Sequence, residues 1–135
     1  MSTALLSSYR QSPRKVRLVA TLVRGKKVKK ALPVLNLLGK RAAEPVKKLI
    51  DSAVANAVHN HQANKDDLYI AEIRVDESAT LKRWRPRARG RAFPIRKRTS
   101  RIFVRLEELK REDVVEEAKE ETKEVKEVKK ETKKA

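Results

Sequence analysis

The sequence predicts an α+β fold: three helices packed on a small antiparallel sheet, a long protruding β-hairpin and a charged C-terminal tail. Three observations support this. Apolar residues recur at helical spacing between residues 13 and 60. They alternate with polar residues over 68–81 and again over 102–106, as in half-buried strands. Between these strands, Lys82 to Arg101 contain ten Lys or Arg in twenty positions and no Asp or Glu.

The first predicted elements are a short strand and a helix. Residues 3–9, with Ala4-Leu5-Leu6 at their centre, suit a strand. Ser12 followed by Pro13 predicts a helix start, because a hydroxyl can cap the first turn and proline lacks only an N–H that is unused there. The buried stripe of this helix is expected at Val16, Val19, Ala20 and Val23, and Gly25 should end it.

Two further helices follow. The second shows apolar spacing at Val28, Ala31, Leu32 and Leu35 and should end near Gly39, with Pro33 either in its first turn or bending it. The third is expected from about Arg41 to Asn60, a rod of roughly 30 Å. Its inner stripe would comprise Ala43, Val46, Ile50, Ala53, Val54 and Ala57.

The remaining strands predict the hairpin. The expected buried face of the first comprises Tyr69, Ala71, Ile73, Val75, Ala79 and Leu81, with Glu77 as its one break. Ile102, Val104 and Leu106 repeat the pattern. Residues 81–101 should then form an arm of roughly 30 Å with Gly90 at the turn, since about nine extended residues make each side. Such an arm has no hydrophobic face, so we expect its partner to order it.

The domain organisation is one domain and a tail, since 135 residues suffice for one modest core. Residues 1–106 form the expected RNA-binding domain, including the arm at 81–101. Residues 107–135 are low in complexity, with Lys-Glu-Val repeated at 123–125 and 126–128 and no Gly, Pro or aromatic residue. We expect this tail to be disordered or transiently helical.

The charge distribution indicates a polyanionic partner. Residues 1–106 hold 26 Lys or Arg against 7 Asp or Glu, a net charge of +19, whereas residues 107–135 hold 9 against 11. A body so cationic repels itself unless a polyanion neutralises it. Arg85, Arg87, Arg89 and Arg91 would lie along one face of an extended strand. An irregular, Arg-rich arm suits folded RNA better than duplex DNA.

The candidate RNA-binding residues lie in the first helix, in the connection that follows it and in the arm. Trp84 and Phe93 either stack on bases or pack on Arg stems and the other side of the arm. The candidates are Arg14, Lys15, Arg17, Arg24, Lys26, Lys27, Lys82, Arg83, Trp84, Arg85, Arg87, Arg89, Arg91, Arg96, Lys97, Arg98 and Arg101.

Other functional classes find little support. The chain has no Cys, and His59 and His61, two residues apart on a helix end, point in different directions without a third ligand nearby. The acidic pairs at 66–67 and 76–77 could serve a metal-dependent nuclease, but adjacent carboxylates suit turns or opposite faces of a strand. We therefore expect no enzyme activity, metal or cofactor. No apolar run could span a bilayer and no signal peptide is evident, so we expect a cytoplasmic protein without a membrane partner.

The same residues resemble those of a known family, the bacterial large-subunit ribosomal protein L twenty-two family. The similarity covers about residues 3–106 in order. It includes the helix motif Ser12-Pro13-Arg14-Lys15-Val16-Arg17-Leu18-Val19-Ala20 with Val23-Arg24-Gly25-Lys26, and Ala53-Val54-Ala55-Asn56-Ala57 with His59-Asn60. Its most specific part is Lys82-Arg83-x-x-Pro86-Arg87-Ala88-x-Gly90-Arg91-Ala92-x-x-Ile95-x-Lys97-Arg98-Thr99-Ser100. Arg101 departs from the family, where His is usual, and Phe93-Pro94 adds bulk beside the tip.

The resemblance implies a structural constituent of the large ribosomal subunit. Such a protein would bind large-subunit ribosomal RNA, aid its assembly and line the nascent-peptide exit tunnel. The tunnel-lining tip would be Ala88, Arg89, Gly90, Arg91 and Ala92. Implied partners are ribosomal RNA, neighbouring ribosomal proteins including ribosomal protein L four near the tip, and the nascent polypeptide. From charge alone, a free basic nucleic-acid compaction or regulatory protein is the alternative.

Overall fold

The computed structural model describes residues 1–108, and the expectations for residues 109–135 of the tail lie outside this part of the chain. The elements are β1 (Ser2–Tyr9), α1 (Pro13–Val23), α2 (Val28–Leu37), α3 (Ala43–His61), a 3-10 turn (Lys65–Asp67), β2 (Leu68–Pro86) and β3 (Ala92–Glu108). Within residues 1–108 the strands form one antiparallel sheet in the order β1-β3-β2. The predicted α+β fold of three helices and a small sheet is confirmed.

Local interactions determine where α1 begins and where it ends. Pro13 occupies the first turn as expected, but the Ser12 hydroxyl makes no capping hydrogen bond. Its backbone carbonyl instead accepts from the N–H groups of Lys15 and Val16, at 3.0 and 3.3 Å. At the other end Gly25 has φ +72°, a left-handed conformation that glycine adopts without steric cost. The predicted bounds are right, whereas the predicted hydroxyl cap is wrong.

The other two helices differ from prediction mainly at their ends. Pro33 lies inside α2 rather than in its first turn. Helix α3 begins two residues later than expected, at Ala43, and ends at His61; the next residue, Gln62, has a left-handed φ of 52°. The side-chain amide of Asn56 donates to the carbonyl of Thr3 at 3.2 Å, and Ser2 Oγ donates to the carbonyl of Ala53 at 2.8 Å. Helix α3 is thereby attached to β1.

One hydrophobic core lies between the helices and the sheet. The predicted stripes of α1 and α3 are buried throughout, and α2 contributes three buried residues while Leu32 is only partly buried. Fully burying a Val, Leu or Ile side chain stabilises a fold by about 1.5–3 kcal/mol. The largest residues with almost no exposure are Ile50, Leu68, Ile70, Ile73, Ile102 and Leu106. This core holds the base of the hairpin in place.

The strand β2 does not alternate as simply as its sequence suggested. The buried residues are Leu68 and Ile70, then Ile73 and Val75, because an extra residue between Ile70 and Glu72 shifts the register with β3. The prediction that Tyr69 and Ala71 share the buried face is therefore wrong: both are only partly buried. A β-bulge of this kind changes which face the later residues occupy. Ala79 and Leu81, predicted on the same face, are exposed because they lie where the hairpin leaves the body.

Two more bulges lie on either side of β3 where the hairpin leaves the sheet. On β1 the register shifts between Leu6 and Tyr9, and on β2 it shifts between Ser78 and Leu81. Both shifts fall opposite residues 98–101 of β3. Bulges increase local twist and bend strands. They therefore set the direction in which the hairpin leaves the body.

Candidate nucleic-acid interface

Beyond the bulges, β2 and β3 continue alone as a two-stranded arm. The pairing runs from Leu81 with Lys97 to Pro86 with Ala92, and every side chain from 79 to 98 is exposed. In this range nine residues are Lys or Arg and none is acidic. The predicted protruding hairpin is confirmed. Because all of these side chains are exposed, hydrophobic packing does not stabilise the arm.

The turn at the tip has the φ values of a tight hairpin. The N–H of Arg91 donates to the Ala88 carbonyl at 3.4 Å, and the N–H of Arg87 donates to the Arg91 carbonyl at 2.8 Å. The central residues Arg89 and Gly90 have φ of +59° and +68°. Positive φ at both central positions is the signature of a type I′ turn, which matches the twist of hairpin strands. The turn at Gly90 lies where the sequence predicted it.

One expectation about the arm was wrong. Arg85, Arg87, Arg89 and Arg91 do not line a single face of a strand, because β2 ends at Pro86. Arg85 lies on the strand, whereas the other three lie in the turn, with Arg89 in a left-handed conformation. The four residues therefore follow the chain around the tip.

Cations and apolar residues are mixed on both faces of the arm. Directly paired residues of antiparallel strands share a face. One face carries Lys82 opposite Arg96 and Trp84 opposite Pro94, and the other carries Arg83 opposite Ile95 and Arg85 opposite Phe93. Trp84 is 64% exposed and Phe93 is 58% exposed, on opposite faces. Each face thus offers an accessible aromatic ring beside positive charge, and the two rings do not pack on each other.

Two of the candidate arginines, Arg17 on α1 and Arg24 directly after it, make structural hydrogen bonds. Arg17 Nε donates to the Val75 carbonyl at 3.1 Å, and an Arg24 terminal nitrogen donates to the Ile73 carbonyl at 3.0 Å. Both carbonyls belong to β2, an edge strand of the sheet that residues 1–108 form. Covering such an edge prevents pairing with other chains. By contrast, the candidates Arg14 and Lys15 are exposed side chains.

The connection between α1 and α2 also covers this edge. The N–H of Gly25 donates to the Ile70 carbonyl, and the N–H of Ile70 donates to the Lys26 carbonyl, each at 3.0 Å. Lys27 forms a bridge with Tyr69. The backbone here thus extends the sheet, leaving the Lys26 side chain exposed and that of Lys27 half-buried.

Two basic residues that the sequence analysis did not select lie close to the arm. Arg10 follows β1 and Arg41 precedes α3, and both line a groove with Arg96, Lys97 and Arg98 at the base of the arm. Neither lies within the dense basic stretch, so local charge density could not identify them. The other candidates on the arm remain exposed; Arg98 also pairs with Glu77 at 3.6 Å.

The described residues offer little for metal chemistry. Within residues 1–108, no group of three or more His, Asp or Glu side chains is arranged to hold a metal ion. His59 Nδ1 lies 3.2 Å from Asn60 Oδ1. No helix of this part of the chain is both long and apolar enough to cross a membrane.

Comparison with known proteins gives a consistent family. Residues 4–107 match the family described as ribosomal protein L22p/L17e. The large ribosomal subunit protein uL22 of Caldicellulosiruptor saccharolyticus is 55% identical over 107 residues, 79% of this chain and 88% of that protein. Those of Mycoplasma capricolum and Oceanobacillus iheyensis are 54% and 51% identical, covering 75% and 79% of this chain and 91% and 95% of their own lengths. The chain therefore belongs to the ribosomal protein L22p/L17e family.

Proposed function

We propose that this chain is a structural constituent that binds large-subunit ribosomal RNA through its arm and adjoining basic residues. It aids assembly of that RNA and lines the nascent-peptide exit tunnel with the tip of the arm. Its family membership makes it a protein of the large ribosomal subunit, found with the ribosome in the cytoplasm, and not an enzyme. The RNA contacts, the assembly role and the tunnel position are the parts that we propose.

The observation that carries the proposal is the exposed, acid-free arm. A two-stranded ribbon without a hydrophobic face is marginally stable alone in water. Between residues 79 and 98 its nine cations repel one another unless anions lie among them. An RNA backbone supplies one phosphate per nucleotide, so threading the arm between RNA helices would neutralise both partners. RNA would then fix the shape of the arm.

The two faces of the arm support contacts with more than one RNA segment. Arginine binds phosphate through two parallel N–H donors and also stacks on bases. Trp84 on one face and Phe93 on the other each lie beside Lys or Arg and are exposed enough to stack on unpaired bases. Contacts on both faces would hold separate RNA helices at a fixed distance, which is how the protein would aid assembly.

The tip of the arm is narrow enough for a confined space. Ala88, Gly90 and Ala92 have small side chains or none, and a type I′ turn is the tightest common hairpin connection. Arg89 and Arg91 add positive charge at the end of the arm. A narrow tip of this kind could line a tunnel near ribosomal protein L four and contact a nascent polypeptide.

The test compares two variants that lose the same charge. The arm variant replaces Arg85, Arg87, Arg89 and Arg91 with Ala, and the control replaces Lys29, Lys40, Lys48 and Lys65, exposed residues outside the arm, with Ala. Binding of the full chain to a large-subunit ribosomal RNA transcript is measured at several salt concentrations. If each arginine contacts one phosphate, the log–log salt slope falls by about 2.8–3.6 units in the arm variant. Equal affinity and slope for the two variants would refute the arm as the contact.

Two further measurements address the role of the complex. Parent protein should sediment with the large subunit, and the arm variant should be depleted from it. A free nucleic-acid compaction or regulatory protein would instead bind duplex DNA and ribosomal RNA with similar affinity in competition at one salt concentration. Equal competition by DNA would therefore favour that alternative.

A further inference from the structure

A second basic surface lies where the arm joins the sheet. It is an open groove, which we name the basal groove, lined by residues 6–12, Lys15, Arg41, Leu81 and residues 96–99. The lining contains six cations and no carboxylate. Arg10, Lys15 and Arg41 come from the body of the protein, and Arg96, Lys97 and Arg98 come from the arm. Cations that are distant in sequence thus converge on one concave surface.

The irregular end of β1 forms one wall of the basal groove. The bulge between Leu6 and Tyr9 includes Ser8, whose φ is +58°. The N–H of Gln11 then donates to the carbonyl of Tyr9 at 2.8 Å, a γ-turn with Arg10 at its centre. The chain therefore reverses sharply at Arg10, which keeps this residue at the groove instead of in a regular strand.

The Tyr9 phenol holds Arg41 against this wall. Its oxygen lies 2.9 Å from Gln11 Oε1 and 3.1 Å from the backbone carbonyl of Arg41, and its single proton can be donated to either acceptor. Partial burial raises the pKa of Tyr9, although the nearby Arg41 charge acts in the opposite direction. The phenol is therefore protonated at neutral pH and remains a donor. Tyr9 thus positions the segment that carries Arg41.

The opposite wall is the first part of the arm. The Thr99 hydroxyl donates to the Ala79 carbonyl at 2.6 Å, within the bulge that begins the arm. Arg98 forms an ion pair with Glu77 at 3.6 Å. Within residues 1–108, the other five cations of the groove form no ion pair with a carboxylate. Five converging charges without counter-charge favour a bound polyanion.

We propose that the basal groove is a separate binding site for the phosphate backbone of RNA, with Arg10 and Arg41 as contact residues and Tyr9 as a positioning residue. This inference rests on the proposed RNA-binding function. Bulges, a γ-turn and side-chain hydrogen bonds between distant residues define the walls of the groove within the protein itself. The outer arm is held by its ladder, its turn and a local hydrogen bond from Arg83 to the Lys82 carbonyl. The groove therefore offers RNA an anchoring point that does not depend on ordering of the tip.

The test uses a double substitution with a matched control. Arg10→Gln with Arg41→Gln removes two exposed cations of the groove, and Lys29→Gln with Lys48→Gln removes two exposed cations elsewhere. Binding of the full-length proteins to a large-subunit ribosomal RNA transcript is measured against salt. Because each lost phosphate contact lowers the log–log slope by about 0.7–0.9, the groove variant should lose about 1.4–1.8 units and bind at least roughly tenfold more weakly. The control should change severalfold less.

The positioning role of Tyr9 is tested by a double-mutant cycle. Tyr9→Phe should weaken RNA binding in the parent but have little further effect in the Arg41→Gln background, because both changes disturb the same contact. Equal losses in both backgrounds would overturn the positioning role.

The results distinguish failure of the groove proposal from failure of the proposed function of the arm. If the groove variant matches its control in affinity and slope while the four-arginine arm variant still binds weakly, the groove is not an RNA site and the proposed function stands. If the arm variant also binds like its own control, the arm is not the contact either. Circular dichroism confirms that each variant remains folded before its affinity is compared.

Discussion

The basic residues of α1 and Arg24, which follows it, can be used to test which side chains stabilise the fold. Arg14, Lys15, Arg17 and Arg24 are all candidates for RNA contact by sequence. Only Arg17 and Arg24 donate hydrogen bonds to carbonyls of the β2 edge, at 3.1 and 3.0 Å. Replacing both with Met keeps the apolar stems but removes the donors. We expect this variant to be destabilised without any change in the hydrophobic core.

The size of the effect follows from the two bonds. A hydrogen bond from a charged donor contributes about 1.5–3 kcal/mol when buried, and these exposed side chains should give about 1 kcal/mol each. Unfolding entropy near 2.1 cal/mol/K per residue over roughly 108 residues converts 2 kcal/mol into a fall in Tm of about 9 °C. The carbonyls of Val75 and Ile73, once they have lost their arginine donors, can accept hydrogen bonds from water. The loss in free energy of unfolding therefore stays at about 1 kcal/mol for each bond.

The control is Arg14→Met with Lys15→Met, which removes two charges from the same helix but no hydrogen bond present among residues 1–108. Both variants reduce self-repulsion equally. Thermal unfolding of the full chain, followed by circular dichroism, should place the Arg17 and Arg24 variant well below the control. Melting temperatures within about 2 °C of each other would refute the structural role of these two arginines.

Other substitutions test the core and the backbone. Ile50→Ala, at a fully buried position of α3, should cost about 3–4 kcal/mol in urea unfolding; a loss below 1 kcal/mol would contradict the packing. Gly25→Ala should cost about 1 kcal/mol because Gly25 has φ +72°, whereas Gly39→Ala should be neutral or slightly stabilising. An added Cβ would meet no atom within 4 Å at either glycine, so a steric clash does not distinguish the two variants. Equal unfolding midpoints for Gly25→Ala and Gly39→Ala would therefore show that the positive φ of Gly25 carries no energetic cost for alanine.

Periodicity predicted the helices and the hairpin well because these features depend on local spacing. Every residue of the predicted stripes of α1 and α3 is buried, together with Pro13 and Leu49, because an amphipathic helix turns one apolar face toward the core. Gly90 indicated the turn because few other residues adopt positive φ easily. These conclusions required no knowledge of distant contacts.

The errors arose where tertiary pairing overrides local pattern. The bulge between Ile70 and Glu72 moved Tyr69 and Ala71 off the expected face, and an extra residue leaves no compositional trace. Likewise, charge density could not reveal that Arg17 and Arg24 donate to the carbonyls of Val75 and Ile73, because these acceptors lie 58 and 49 residues away in sequence. Whether the two arginines also contact RNA stays a prediction. The sequence pattern also did not place Arg10 and Arg41 beside the arm, because only folding brings them there.

The two bulges beside residues 98–101 set the orientation of the arm, whereas the residues farther out determine its surface. Strand β3 continues from the body into the arm, while the extra residues lie in its neighbours on each side. Substitutions farther out could thus adapt the arm to a different RNA surface without changing the angle at which it projects. Deleting one residue between Ser78 and Leu81 would act differently. It would remove the bulge but leave Leu81 paired with Lys97 and Trp84 paired with Pro94, so the arm would keep its two faces and project from the body at a different angle.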